Sequence, residues 1–303
     1  LANGYHGVLL ALLIAGCGAA FQHSLCSSLI AGAFEGPDRR VALGTYNASG
    51  DTGKLLFTGI ASVLFGFHVG WQGLATVYGF VALTAAGILW FVLRSIKKST
   101  VLPTALGART VVGGWGVRDR KGFVSLASIV FLDIAVQDGF LVFVAFLMVA
   151  KQVPPALAAF AVVATLAGGV CGKFACGHLA AKLGIVRSLV LVQSLTAILM
   201  TIVFLSPTIV AFMLLPLLGI VLQGSSSISY ATVSNFVHDA RQSRGFAAIY
   251  TMSNGASVAG PLAFGFVADS FGLGVSVAAM AVATLITLPL AIFLRSALER
   301  TGA

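Results

Sequence analysis

Long apolar stretches separated by short polar connections dominate the chain. Stretches such as 125–150 and 206–223 are longer and more apolar than the core helices of soluble proteins. A helix needs about 20 apolar residues to cross roughly 30 Å of hydrocarbon. The pattern predicts an all-α membrane protein with about nine transmembrane helices, at residues 8–32, 41–66, 72–94, 123–149, 155–181, 188–205, 208–234, 244–269 and 273–295.

The composition supports this fold class. Hydrophobic residues make up 58% of the chain and charged residues 9%, whereas a soluble domain carries about 25% charged residues. The chain therefore has too few charges to cover a water-facing surface. The 35 glycines fit membrane helices, in which small residues let neighbouring helices pack closely.

The basic residues lie on one side of the predicted membrane. With nine spans, the connections alternate sides, and Lys151 is the one basic residue on the opposite side, while Lys54 and Lys173 fall inside helices. By the positive-inside rule the basic side is cytoplasmic. The net charge of +9 thus reflects topology, and no nucleic-acid partner is predicted. We expect an integral protein of a bacterial inner membrane with a cytoplasmic C-terminus.

An internal repeat predicts two homologous bundles. Segment 40–46 (Arg-Val-Ala-Leu-Gly-Thr-Tyr) aligns with 244–250 (Arg-Gly-Phe-Ala-Ala-Ile-Tyr). Each follows a helix whose middle reads Phe-Gln-His-Ser at 21–24 or Leu-Gln-Gly-Ser at 222–225. Repeats of this kind are common in secondary transporters.

The repeat and the basic linker define the predicted domains. The remainder of an N-terminal bundle, with three helices, spans 1–94, a cytoplasmic linker spans 95–122, and a six-helix C-terminal bundle spans 123–303. Because the first bundle is three helices shorter than the second, we expect three helices to be missing before Leu1.

Two motifs connect the chain to a known family. Residues 177–187 (Gly-His-Leu-Ala-Ala-Lys-Leu-Gly-Ile-Val-Arg) resemble the Gly-x-Leu-x-Asp-Arg-x-Gly-x-x-Arg loop of the major facilitator superfamily, with Ala181 at its acidic position. Residues 254–265, which contain Gly260-Pro261, resemble the Gly-Pro signature of antiporters, although the family places that signature in its fifth helix. The helix at 41–66, which corresponds to that fifth helix, has no Gly-Pro pair.

Further motifs resemble the fosmidomycin-resistance type of these carriers. They are Phe-Gln-His-Ser at 21–24, Gly-Lys-Phe at 172–174, and Leu-Gln-Gly-Ser-Ser at 222–226 leading to Tyr230. The resemblance implies a two-bundle fold of twelve helices, of which the fourth to the twelfth are present here. It also implies transport by alternating access, with conformational motif residues Gly177, Lys182, Gly184, Arg187, Gly260 and Pro261.

Five ionisable side chains fall inside the predicted spans, where each costs about 2.5–3.5 kcal/mol on insertion scales. They are Asp51, Lys54, Asp133, Asp138 and Lys173. Asn47, Asp51 and Lys54 share one helix face, as an internal ion pair or as a site for a proton or an anionic substrate. Asp133 shares a face with Gln137, and Asp138 points elsewhere. Asp133 and Lys173 have similar depths, which suggests a static bridge or a proton-dependent switch.

Neutral polar residues mark further candidate contacts for substrate or proton coupling. They include Gln22, His23, Gln223, Tyr230, Tyr250 and Asn254. Each could bind a polar substrate or form a hydrogen bond between helices. The phenylalanines are assigned to lipid or core, and no aromatic binding site is predicted. The histidines and cysteines have no metal-ligand spacing, so no metal and no cofactor are predicted.

The predicted function is secondary active transport, with proton-coupled export of a small polar or drug-like molecule. The expected partners are that substrate, protons and the lipid bilayer. Proton-coupled uptake of a small organic anion is the first alternative, and a truncated, non-transporting membrane fragment is the second. An enzyme is not predicted, because Ala-Ser-Gly-Asp at 48–51 lacks the first glycine of a membrane aspartyl protease motif and no His-Glu-x-x-His sequence occurs.

Overall fold

The computed structural model describes residues 4–19, 22–34, 36–66, 70–96, 114–238 and 241–301. These residues form ten α-helices, with one antiparallel β-bridge between Val117 and Val237 in the described part of the chain. The helices are α1 (Tyr5–Ala19), α2 (Gln22–Ala33), α3 (Gly36–Gly66), α4 (Trp71–Ile96), α5 (Arg120–Ala150), α6 (Pro155–Leu183), α7 (Ile185–Leu205), α8 (Thr208–Phe236), α9 (Gln242–Phe271) and α10 (Leu273–Thr301).

Each predicted span overlaps helical structure. The predicted helix at 8–32 corresponds to α1 and α2, on either side of residues 20 and 21, which lie outside the described residues. Among the residues that the structure describes, six helical segments are long and apolar enough to cross a membrane, namely Gln72–Val92, Arg120–Ala150, Phe160–Leu183, Ile185–Leu205, Thr208–Phe236 and Leu273–Arg300. The predicted count of nine transmembrane helices is not confirmed. Helices α3 and α9 are long enough but more polar.

The chain divides into two compact units. One comprises Leu1–Asp51 with Gly113–Ala303, and the other comprises Thr52–Val112. The division falls inside α3. In the second unit, the Tyr78 hydroxyl donates to the Phe57 carbonyl oxygen, and the two rings meet edge to face at 4.9 Å. Most of the predicted linker at 95–122, from 97 to 113, lies outside the described residues.

Helices α5 to α10 form a bundle that is apolar both inside and outside. Helix α5 packs against α6, α8, α9 and α10, and α7 packs against α8 and α10. Phe140, Leu218 and Phe246 are buried in the centre, whereas Met213 and Phe293 are exposed. A helix that is hydrophobic all round requires apolar surroundings on every side, which a bilayer supplies.

Glycines allow α6 and α8 to touch backbone to backbone. A Cβ atom added at Gly168 would overlap the Pro216 carbonyl oxygen, and one added at Gly172 would overlap the Ile220 carbonyl oxygen. Small residues permit this close approach of membrane helices. We call this contact the α6–α8 seam, defined by Gly168 and Gly172 against Pro216 and Ile220.

The start of α5 is fixed by a charged cap. Asp119 accepts a hydrogen bond of 2.8 Å from the Gly122 backbone N–H, as expected of an N-cap residue. It also accepts one of 2.8 Å from Nε of Arg300, near the end of α10. The bond from Arg300, and then the bond from Gly122, lower the pKa of the Asp119 carboxyl below its ordinary value.

Candidate functional site

A carboxylate lies buried in the bundle among neutral hydrogen-bond donors. Asp133, on α5, is 4% exposed. Its Oδ2 accepts from Nε2 of Gln137 at 2.9 Å, and its Oδ1 accepts from Nε2 of Gln193, on α7, at 2.9 Å. The hydroxyl of Ser225, on α8, lies 2.8 Å from both carboxylate oxygens. One carboxylate therefore joins three helices, and Asp133 and Gln137 share a face as predicted. We call these four residues the Asp133 cluster.

Within the described residues, the Asp133 carboxylate has hydrogen-bond donors but no cation in contact. Gln137, Gln193 and Ser225 are all buried and all uncharged. Burying an ionised carboxylate is costly unless it is paired or fully hydrogen-bonded. The three donors satisfy the carboxylate oxygens, but they leave the net charge in place. This arrangement suits a group whose charge can change.

A second buried carboxylate has a cationic partner. Lys173, on α6, forms a salt bridge through Nζ with Oδ2 of Asp51, on α3, and the two side chains are 11% and 6% exposed. Helix α3 passes close to α6 here, since a Cβ added at Gly44 would lie 3.8 Å from the Lys173 carbonyl oxygen. The sequence-based pairing of Lys173 with Asp133 is therefore replaced by a salt bridge with Asp51. Similar depth along two helices does not determine which faces meet.

Aromatic rings from three helices form a stack, and a ring from a fourth helix meets it edge to face. The His23 ring stacks on Tyr250 with centroids 5.2 Å apart, and Tyr250 stacks on Tyr230 at 4.8 Å. The Tyr46 hydroxyl lies 3.4 Å from Nδ1 of His23. We call His23, Tyr46, Tyr230 and Tyr250 the aromatic column. It joins α2 and α3 to α8 and α9.

Serine hydroxyls hold the column in register. The Tyr250 hydroxyl hydrogen-bonds the Ser27 hydroxyl at 2.9 Å, and the Tyr230 hydroxyl donates to Oγ of Ser253 at 3.0 Å. Tyr46 and Tyr250 are equivalent positions in the internal repeat, and both contact His23. The repeat therefore brings matching tyrosines to one histidine.

Three buried polar atoms near these groups have no hydrogen-bond partner among the described residues. They are Nε2 of Gln223 and the hydroxyls of Ser227 and Ser229, all on α8. Buried polar groups are normally hydrogen-bonded, to protein or to ordered water. Gln223 packs against Gly169 of α6, where a larger residue would overlap its side chain. These atoms can bind water or the polar groups of a substrate.

The other predicted site residues are more peripheral. Gln22, Lys54 and Asn254 are exposed, and Lys54 belongs to the second compact unit. Asn47 and Asp138 are half-buried. The structure thus assembles only part of the predicted set, as three groups: Asp133 with Gln137, Asp51 with Lys173, and His23 with Tyr230 and Tyr250.

Two glycines of the motifs have clear geometric roles. Gly184 has a φ of 83° and joins α6 to α7 in a tight turn, a conformation that favours glycine. A Cβ added at Gly260 would overlap the backbone of Ala135, so this glycine brings α9 close to α5 near Asp133. Gly177 is buried, but a Cβ atom added there would meet no other atom within 4 Å. Lys182 and Arg187 are exposed. Pro261, beside Gly260, is half-buried within α9.

Sequence reasoning missed five residues that complete the site: Tyr46, Gln193, Ser225, Ser27 and Ser253. Gln193 is a polar residue in the middle of an otherwise apolar helix, which is itself a signal of an internal contact. Ser225 stands in the repeat motif itself. Ser27 and Ser253 had no distinguishing pattern, because serines are common in membrane helices.

Comparisons with known proteins agree with the fold. Residues 126–302 match the family model of the Major Facilitator Superfamily. A solved structure described as a bacterial homologue of the iron transporter ferroportin in its outward-facing state superposes with a TM-score of 0.71 at 16% sequence identity. The match covers 96% of this chain and 72% of that one, and at this identity it indicates fold alone. No curated protein matches the chain.

Proposed function

Because the chain belongs to the Major Facilitator Superfamily, a family of membrane transporters, we propose that it exports a small polar or drug-like molecule in exchange for protons. Transport proceeds by alternating access. The observation that carries the proposal is the Asp133 cluster, in which a carboxylate within a membrane-spanning helix is hydrogen-bonded by neutral side chains from three described helices. Ionisable residues at such positions commonly mark proton relays in transporters.

Proton binding at Asp133 would rearrange its hydrogen bonds. A carboxylate only accepts hydrogen bonds, whereas a carboxylic acid also donates one. The amide N–H groups of Gln137 and Gln193 cannot accept that proton, but the Ser225 hydroxyl can reverse its role by rotation. Protonation would therefore change the link between α5 and α8 before any larger movement.

The contacts between the early and late helices supply the other half of the mechanism. The Asp51–Lys173 salt bridge joins α3 to α6, and the aromatic column joins α2 and α3 to α8 and α9. The column lies near the end of α8 and the start of α9, close to the basic end of the helices. In the proposed cycle, these contacts close the cytoplasmic side and separate when it opens.

The chemistry of the site favours a neutral or amphipathic substrate. The aromatic column, and the Gln223 and Ser227 atoms that have no hydrogen-bond partner among the described residues, carry polar groups without net charge. Lys173 could attract an anion, but Asp51 already neutralises it. Export also agrees with the resemblance to carriers of the fosmidomycin-resistance type.

The iron in the structural neighbour's description belongs to that protein. Within the described ranges, no group of three or more His, Cys, Asp or Glu side chains is placed to hold a metal ion.

Accumulation of labelled fosmidomycin in cells tests both direction and coupling. Cells that express the protein should accumulate less of this probe than control cells, and an uncoupler should raise the level towards that of the control. A fall on uncoupling would indicate uptake and would contradict export. A level that the uncoupler leaves unchanged in cells with reduced accumulation would contradict proton coupling.

A further inference from the structure

A groove of about 420 Å³ lies between the start of α5 and the later turns of α10. Arg120 and Lys121 line one end, and the rest is lined by Val124, Ser125, Ser128, Leu290 and Phe293. The groove is separate from the Asp133 cluster and from the aromatic column. It therefore has no part in the transport mechanism proposed above.

The charged end of the groove carries excess positive charge. The nearby carboxylate of Asp119 is already paired with Arg300 at 2.8 Å, and Glu299 is paired with Arg295 at 3.0 Å. Neither Arg120 nor Lys121 forms a salt bridge within the part of the chain that the structure describes. Their side chains are exposed and available to an external anion.

The remaining wall has three apolar side chains and two serines, and its apolar side chains Val124 and Phe293 face outward from the bundle. Val124 is 54% exposed and Phe293 is 69% exposed. The hydroxyl of Ser125 donates to the Leu290 carbonyl oxygen at 2.9 Å, which ties α5 to α10 beneath the groove. The groove is thus a fixed surface with a cationic end and a hydrophobic body.

We propose that this groove binds an anionic phospholipid. The phosphate lies against Arg120 and Lys121, and an acyl chain follows the apolar wall past Val124 and Phe293. Basic pockets between membrane helices recognise anionic headgroups, and each basic residue near a membrane surface adds measurable attraction. Charge complementarity identifies the headgroup, and the apolar wall distinguishes a lipid from a free anion. The inference does not depend on the substrate or on proton coupling.

Native mass spectrometry of the delipidated protein, titrated with phosphatidylglycerol or phosphatidylcholine, tests the proposal. The wild type should bind phosphatidylglycerol more tightly. The double variant Arg120→Gln/Lys121→Gln should bind it roughly thirtyfold more weakly, from the usual contribution of two basic residues, with phosphatidylcholine unaffected. The control Arg94→Gln/Arg187→Gln removes two exposed charges outside the groove and should bind phosphatidylglycerol as tightly as the wild type does.

A second variant separates the groove from its charges. Val124→Trp fills the apolar wall without changing any charge, and it should also weaken phosphatidylglycerol binding. Retained binding in Val124→Trp would overturn the groove as the site. Three outcomes would overturn the proposal of a specific lipid site. The two double variants could lose phosphatidylglycerol affinity equally, or the wild type could bind phosphatidylglycerol no more tightly than phosphatidylcholine. Equimolar inorganic phosphate could also displace phosphatidylglycerol from the wild type.

Discussion

Two carboxylates are buried in the same compact unit, but one is surrounded by neutral donors and the other is paired with a cation. Asp133 receives hydrogen bonds from Gln137, Gln193 and Ser225, all neutral, whereas Asp51 is paired with the ammonium group of Lys173. If Asp51 loses its charge, the buried cation of Lys173 has lost its counter-ion. If Asp133 loses its charge, no cation in contact with it is left among the described residues. The first arrangement favours a permanent charge, and the second is suited to a changing one.

The largest effect that separates the two sites is expected from Asp133→Asn. The amide keeps the shape of the side chain but cannot bind and release a proton. Proton-driven transport in liposomes should fall by at least about a hundredfold, the scale on which removal of a proton-transfer group lowers a rate. The control is Asp269→Asn, which changes an exposed aspartate near the end of α9 and should leave transport unchanged. Wild-type transport in Asp133→Asn would remove this residue from the mechanism.

For stability we expect the reverse ranking of the two carboxylates, with the larger loss on substitution of Asp51. Asp51→Asn leaves Lys173 buried without its counter-ion, and breaking a buried pair in this way costs about 3–5 kcal/mol. The double variant Asp51→Asn/Lys173→Met should recover much of that loss, because neither charge remains. Thermal unfolding in detergent, followed by intrinsic fluorescence, measures both. A double variant no more stable than Asp51→Asn alone would show that the pairing is not what stabilises this contact.

A smaller effect is expected from Ser225→Ala. The change removes the one hydroxyl that contacts both oxygens of Asp133, at a cost of about 1–3 kcal/mol for the unsatisfied carboxylate. Transport should persist with a shifted pH dependence, since the hydrogen bonds to the carboxylate have changed. Ser226→Ala is the matched control, because that buried hydroxyl donates to the Gln223 carbonyl oxygen instead. Identical pH profiles for the two variants would argue against the proposed role of Ser225.

The smallest effect concerns Asp119, a carboxylate outside the membrane spans. Its folded-state pKa is lowered by the bond from Arg300, so its ionised form stabilises the fold above the unfolded pKa. That contribution is lost as pH falls through the folded-state pKa. Asp119→Asn keeps a good N-cap and should melt below wild type at neutral pH, with the difference shrinking in acid. A difference independent of pH would contradict the assignment.

The sequence was most informative where a signal is periodic or costly. The apolar runs predicted helices throughout the described chain, and the charged residues inside them pointed to Asp51, Asp133 and Lys173. The spacing of Asp133 and Gln137 predicted their shared face, because four residues make about one helical turn. The two motifs at 177–187 and 254–265 both lie within residues 126–302, which match the family model.

The pairing between helices could not be predicted in the same way. Depth along two helices placed Lys173 near Asp133, but depth does not determine which faces meet, and the salt bridge is with Asp51. His23, Tyr230 and Tyr250 were candidate residues, but their assembly into the aromatic column was not predicted. The rings of the column come from four helices at scattered positions in the sequence. The repeat contained part of this information, since Tyr46 and Tyr250 are matching positions.

The α6–α8 seam suggests how conformational change in this protein can be measured. The backbones are in contact at Gly168 and Gly172, with no side chain between them, so we expect the two helices to move as one body. In the proposed transport cycle, spin labels placed on α6 and α8 should therefore keep a constant distance, which supplies an internal reference. A third label on α3, beside Asp51, would then measure how far that helix travels.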